Sequence, residues 1–334
     1  MTKYNVFADK EGRYAFENYT SFAAWKSAAK PALEKLLGLD ELYQLKRKPI
    51  IPETIWKREN HFSTIEKVTF ETEPGVQTFA YLCFPKNAAA PYKTFIVLQG
   101  HSTGMHCSIG YDYNETKQEG APAEYNDPDL DYANSCLKAG YAAICLEQRY
   151  FGNNSPNEDH RPDCYIPTAN NFLVGRTTIG ERVYDIDRVI DYLDSRNDID
   201  RSHIGVMGLS GGGTATMFSG AMLERITHIM PAGSFSSFRA SIMSMSHCLC
   251  NFVPGLLLFG EAADCVGLAA PKPIVVVHGS QDPIFPIAAT VEQFRRLQKI
   301  YDSAGAPDHC KLIIGDGGHR FFAQQSWDAM KKYM

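Results

Sequence analysis

One stretch constrains this chain more than any other: Ile204-Gly205-Val206-Met207, then Gly208-Leu209-Ser210-Gly211-Gly212, then Gly213-Thr214-Ala215-Thr216-Met217-Phe218. It reads as a short strand, a Gly-x-Ser-x-Gly turn and the opening of a helix. A chain that reverses from strand to helix this quickly holds its serine on a cramped turn, with Oγ projecting from the end of a sheet. The flanking glycines remove side chains where the helix crowds the neighbouring strand. The stretch therefore reads as a nucleophile elbow, against the plainer alternative of a Gly-rich connector.

The surroundings fit a sheet of that kind. Ile65–Phe70 alternates as a strand, turns at Glu73-Pro74-Gly75 and continues in Gln77–Leu82, which reads as an antiparallel hairpin. Apolar runs then recur at 94–98, 142–147, 204–209, 228–232, 274–278 and 311–314. Amphipathic helical patterns fall at 131–139, 182–195, 214–225 and 288–303. Continuous Val/Ile runs separated by such helices imply a mostly parallel α/β sheet covered on both faces. Residues 1–60 read as a helical extension, with helices at 23–30 and 33–37 broken near Pro31. The catalytic domain is expected over 61–334. The extension could cover the edge of the sheet or join subunits, and the sequence leaves both open.

A serine hydroxyl is a poor nucleophile at neutral pH and needs a base, itself oriented by an acid. In an open parallel sheet such groups collect at the carboxyl ends of strands. Asp282 follows the strand Ile274–His278 in the loop Gly279-Ser280-Gln281-Asp282-Pro283. His319 follows the next strand in Gly315-Asp316-Gly317-Gly318-His319. The expected catalytic set is therefore Ser210, Asp282 and His319, in that chain order. Asp316 sits too close to His319 in the chain to orient its ring and reads as a turn residue. His278 reads as a core histidine. Two N–H donors for a developing oxyanion are expected from Gly211, which follows the serine, and from His101, with Ser102 next, in the loop after strand 94–98. Glu147 and Arg149 read as a structural ion pair, and Arg182 as structural.

Two segments should overhang the strand ends, 153–180 and 233–267. Phe235, Phe238, Phe252, Phe285 and Phe321 are candidate pocket residues, with core packing as the alternative.

The segments 208–213, 278–283 and 315–319 together resemble the α/β-hydrolase superfamily over roughly residues 61–334. The likeness is nearest to its dienelactone-hydrolase-like and acetylxylan-esterase-like branches. Gln148-Arg149-Tyr150-Phe151-Gly152 resembles their Arg-Gly-x-Gly segment, with Tyr150 in place of a glycine. Residues 247–255 look like part of an esterase-like group. Gln99 stands where a His-Gly pair usually opens the oxyanion loop, and Ser210 stands where dienelactone hydrolases carry cysteine. The resemblance implies a serine carboxylester hydrolase for short acyl groups on a sugar or small metabolite. A prolyl-oligopeptidase-like peptidase and a non-catalytic binding module are the alternatives. The first is disfavoured by Gly211 after the serine, where those enzymes usually carry an aromatic, and by the shortness of the preceding region. The second is disfavoured by a complete triad.

The formal charge of −5, from 33 basic and 38 acidic residues, gives no reason to expect nucleic acid, and no apolar run is long enough to span a bilayer. Residues 1–5 lack the pattern of a secretory leader. Nine cysteines, several inside strands or helices, read as reduced thiols of a cytoplasmic protein. The sequons at Asn18 and Asn114 carry no weight without secretion. No cofactor is expected. A metal is set aside, because His247-Cys248-Leu249-Cys250 has no second paired ligand cluster in the sequence.

Overall fold

Nine strands form a single sheet in the order β1-β2-β3-β5-β4-β6-β7-β8-β9 in a computed structural model that describes residues 12–111 and 127–334. They are β1 Glu53–Glu59, β2 Ser63–Glu73, β3 Val76–Pro85, β4 Tyr92–Leu98, β5 Ala142–Leu146, β6 Ile199–Leu209, β7 His228–Ala232, β8 Ile274–Gly279 and β9 Cys310–Gly315. The helices are α1 Phe22–Leu37, α2 Leu39–Tyr43, α3 Tyr132–Lys138, α4 Tyr165–Leu173, α5 Thr178–Asp194, α6 Gly211–Met222, α7 Leu256–Phe259, α8 Ala262–Val266, α9 Ile287–Ser303 and α10 Ala323–Met330. The expectations for residues 1–5 and Asn114 lie outside the described residues. Among those described, no single helix is long and apolar enough to cross a membrane.

The β2–β3 hairpin is antiparallel, as its alternation predicts, and β4 through β9 pair in parallel. Parallel pairing follows from the βαβ crossovers, which cover both faces and allow continuous apolar runs such as Ile274–Val277. Alternate residues divide between two cores. Ile96, Leu98 and Val206 enter the larger one, and Phe95, Val97 and Met207 the smaller one on the opposite face.

Three local expectations change. Residues 53–59, placed in the N-terminal extension by the sequence, form the outermost strand β1 on β2. The helix expected to break at Pro31 runs through it as α1, and carries Trp25, Ala29, Leu33 and Leu37 fully buried into the larger core. That burial outweighs the one backbone bond a proline removes. The extension thus spends its apolar face inside this chain. A helix, α4, also lies within the segment 153–180, which carries few helix signals.

Register sets the site. Leu98 pairs with Gly208, Leu209 with Ala232, Ala232 with Val277, and Gly279 with Gly315. The carboxyl ends of β4, β6, β7, β8 and β9 therefore share one rim. The loops carrying His101, Ser210, Gly233, Asp282 and His319 all leave from it.

Candidate active site

Ser210 sits at φ 57°, ψ −119°, between the end of β6 and the start of α6. This backbone region is strained for any residue with a Cβ, at a cost of ~1–3 kcal/mol. The turn is held by the Ser210 N–H donating to Ala232 O at 2.9 Å and the Thr214 N–H donating to Ser210 O at 2.9 Å. Gly212 has to be glycine, because a Cβ there would lie 2.0 Å from Leu98 O.

His319 Nδ1 lies 2.7 Å from Asp282 Oδ2. The other oxygen of Asp282 accepts from the backbone N–H groups of Ile284 at 2.8 Å and Phe285 at 3.1 Å. Burial pushes the Asp282 carboxyl up, but the His319 bond and charge and the two N–H donors outweigh it and hold the group below its ordinary range. The carboxylate is therefore ionised and fixed, and it sets which imidazole nitrogen carries hydrogen. Asp316 does not reach the ring; it accepts from Gln281 Nε2 at 3.2 Å.

The His319 ring lies over Gly233, where φ is +50° and a Cβ would fall 2.8 Å from Cε1. It stacks on Phe285 at 5.9 Å and 14°. Its Nε2 is buried and has no partner among the described residues. Ser210 and His319 both border the Ala232–Gly233 peptide, one bonded to Ala232 O and the other packed on Gly233. The free Nε2 belongs to a ring seated on the same peptide that holds the strained Ser210 backbone.

The loop after β4 is clamped from β5. Buried Glu147 accepts from Gln99 Nε2 at 2.5 Å and the Met105 N–H at 3.0 Å through Oε1, and from the Asn153 N–H at 3.2 Å through Oε2. Gln148 Nε2 donates to Gln99 O at 2.5 Å. The expected ion pair is replaced by two separate arrangements. Glu147 holds this loop, while the Arg149 guanidinium meets Glu73, Glu181 and Asp185. Tyr150 takes the left-handed conformation of the glycine it replaces, at φ 70°, and its hydroxyl donates to Glu181 at 2.8 Å. Gly211 opens α6, where an N–H has no intrahelical acceptor, and the His101 ring packs against it. Ser102 is half-buried in the same loop, with Oγ 3.4 Å from Gly104 O.

The candidate pocket residues divide. Phe238 and Phe252 line an apolar cavity of about 510 Å³ with Ile242, Met243, Val253 and Leu256. This cavity lies beside the site rather than over the serine: its wall residue Asn251 accepts from Thr214, one turn into α6. Phe285 lies against His319. Phe235 and Phe321 are corrections. Both are buried core residues, Phe321 packed on Tyr132 at 5.3 Å in the smaller core. Proximity in sequence to His319 did not place Phe321 on the rim, because the chain dives inward two residues later. His278 is a core histidine with Nε2 2.8 Å from Phe285 O.

Sequence reasoning missed a second cluster. One ligand atom each of His101, Cys164, Cys248 and Cys250 all lie within 4.8 Å of one another. His247, the histidine adjacent to the Cys pair, is elsewhere, 3.1 Å from Ser241 Oγ. The ground for setting a metal aside was the absence of a second paired cluster in the chain. It fails because the partners come singly from two distant loops, a signal that no local spacing carries.

No known family model matches this chain. In sequence it is 22% identical over 276 residues, 82% of its length and 88% of the relative's, to a Bacillus subtilis protein provisionally described as the hydrolase YtaP. In structure it is similar to a Bacteroides fragilis protein provisionally described as an acetyl xylan esterase. There the TM-score is 0.81 at 18% identity, over 98% of this chain and 92% of that one. It is also similar to a glucuronoyl esterase from Solibacter usitatus, with a TM-score of 0.66 at 16% identity, over 93% and 94%. The sheet order, the elbow and these likenesses define the chain as having the α/β-hydrolase fold.

Proposed function

We propose that this protein is a serine carboxylester hydrolase acting on short-acyl esters of a sugar or other small metabolite. The observation that carries the reading is the 2.7 Å Asp282–His319 pair, which presents an unpartnered Nε2 at the strand-end rim where Ser210 occupies a strained turn. Ser210 Oγ attacks the ester carbonyl while His319 Nε2 takes its proton. Asp282 holds the ring and stabilises the imidazolium. The N–H groups of Gly211 and of His101 or Ser102 receive the oxyanion. His319 returns the proton to the leaving alkoxide, and water then releases the acyl group by the same path. Serine and imidazole are not yet bonded, as is common before substrate tightens a site.

The carbohydrate preference is supported by the names of the two structural relatives, and short-acyl selectivity by the earlier sequence resemblance. A cytoplasmic location is part of this proposal, on the reading of the nine cysteines in the sequence as reduced thiols. The test is a fluorophosphonate probe followed by peptide mapping, with turnover measured on 4-nitrophenyl esters of increasing chain length, acetylated xylan and a glucuronoyl methyl ester. Labelling at Ser210 and a preference for acetyl supports the proposal. No labelling of the folded protein returns it to the binding-module alternative.

A further inference from the structure

The cluster beside the oxyanion loop has a composition that a packed core does not explain. Three sulfurs and one imidazole nitrogen converge from separate parts of the fold. His101 comes from the loop after β4, Cys164 immediately precedes α4, and Cys248 and Cys250 come from the segment after β7. His101 Nε2 is 3.2 Å from Cys250 Sγ, which is 3.3 Å from Cys248 Sγ. With Zn–S bonds of ~2.3 Å and Zn–N of ~2.1 Å, a tetrahedral site of three sulfurs and one nitrogen has ligand–ligand edges of roughly 3.6–3.8 Å. Four atoms mutually within 4.8 Å are close to that figure.

A second observation is independent of the spacing. The buried Arg182 guanidinium points at the same sulfurs, with Nη1 3.6 Å from Cys250 Sγ and Nη2 3.8 Å from Cys164 Sγ. Its other contacts are Arg149 O at 3.0 Å and the face of Phe151 at 4.3 Å. Among the described residues no carboxylate pairs with it, whereas the neighbouring Arg149 has three. A buried cation needs compensating negative charge.

We propose that His101, Cys164, Cys248 and Cys250 form a closed, tetrahedral zinc site, with Arg182 as its charge-balancing outer partner. Zinc binding displaces three thiol protons to solvent and changes no oxidation state. Three thiolates, one neutral imidazole and Zn²⁺ sum to −1, which the guanidinium neutralises while its N–H groups point at two of the sulfurs. A Cys248–Cys250 disulfide would use only two of the four ligands and remove the negative charge that Arg182 requires. Four protein ligands leave no open position, so the metal is structural. The exposed edge of His101 offers an entry path. The site would tie the oxyanion loop to the two segments that overhang the strand ends. That coupling rests on the proposed ester hydrolysis; the metal content does not.

The experiment measures metal in the purified full-length protein, expressed with zinc supplied and handled without chelator. The expected result is one equivalent of zinc, released on titration of the thiols with a mercurial. Cobalt exchanged into the protein should give sulfur-to-metal charge-transfer bands and the intense visible bands of a tetrahedral site. Cys164→Ser and Cys250→Ser should lose the metal. Arg182→Gln should keep the ligands but weaken zinc by about 10–100-fold in chelator competition. Protein that binds neither zinc nor cobalt overturns the proposal. So does an intact mass showing a Cys248–Cys250 disulfide with no metal. If zinc is present but fluorophosphonate labelling fails, the metal site stands and the esterase reading falls.

Discussion

Asp282 grips His319 through one carboxylate oxygen and its own loop through the other. The first distance is 2.7 Å; the second oxygen accepts two backbone N–H groups, from Ile284 and Phe285. The residue that orients the imidazole is thus itself oriented by the loop leaving β8. This explains why Asp282, rather than the nearer-in-sequence Asp316, faces the ring.

Replacing Asp282 by Asn should cut kcat by about 10⁴, since the amide favours the wrong imidazole tautomer. Asp316→Asn, whose partners are Ser280 and Gln281 on the exposed rim, should leave kcat within a few-fold. Steady-state rates on 4-nitrophenyl acetate compare the two. A larger loss for Asp316→Asn would reassign the acid.

Ser210→Ala should remove turnover by a factor on the order of 10⁶. The fold should survive, because the contacts that hold the elbow are made by the backbone and not by Oγ. Circular dichroism and activity on the same sample check both halves.

Gly233→Ala adds a methyl that would fall 2.8 Å from His319 Cε1, at a residue with φ of +50°. The imidazole must shift from its present seat. The kcat is expected to fall by more than the loss of folded protein, followed by urea unfolding of the same variant, accounts for. Near-normal kcat would show that the ring position here is not the working one.

Glu147→Gln disturbs the clamp on the loop after β4, since an amide NH2 must face at least one of the donors that Glu147 now accepts from. A stability loss of about 1–3 kcal/mol is expected, with kcat falling more than KM rises. Urea unfolding and initial rates separate the two effects.

His278 predicts a pH dependence. Burial pushes its pKa below the ordinary 6.5, against the Phe285 carbonyl and the Asp282 charge, which act to raise it. The folded state keeps it neutral while the unfolded chain takes up a proton as pH falls through 6.5. Stability present above that pH is therefore lost below it, down to the folded pKa, with a slope of at most ~1.4 kcal/mol per pH unit. His278→Asn should flatten this part of the curve of urea midpoint against pH. An unchanged curve would assign the acid sensitivity to other groups, such as His228, whose pKa burial also lowers.

The parallel sheet, the hairpin and the elbow at Ser210 were legible in the sequence because each is written in local period and local glycine spacing. The chain order Ser210, Asp282, His319 was legible for the same reason: each follows its own apolar run. Tertiary structure alone decided which groups meet. It buried Phe321 while leaving Phe238 and Phe252 on a cavity, drew residues 53–59 into the sheet, and gave Arg149 to Glu73, Glu181 and Asp185. It also brought His101 within 3.2 Å of Cys250, 149 positions away. Secondary structure follows from neighbours along the chain, whereas convergence of loops depends on strand order and register, which no single segment encodes.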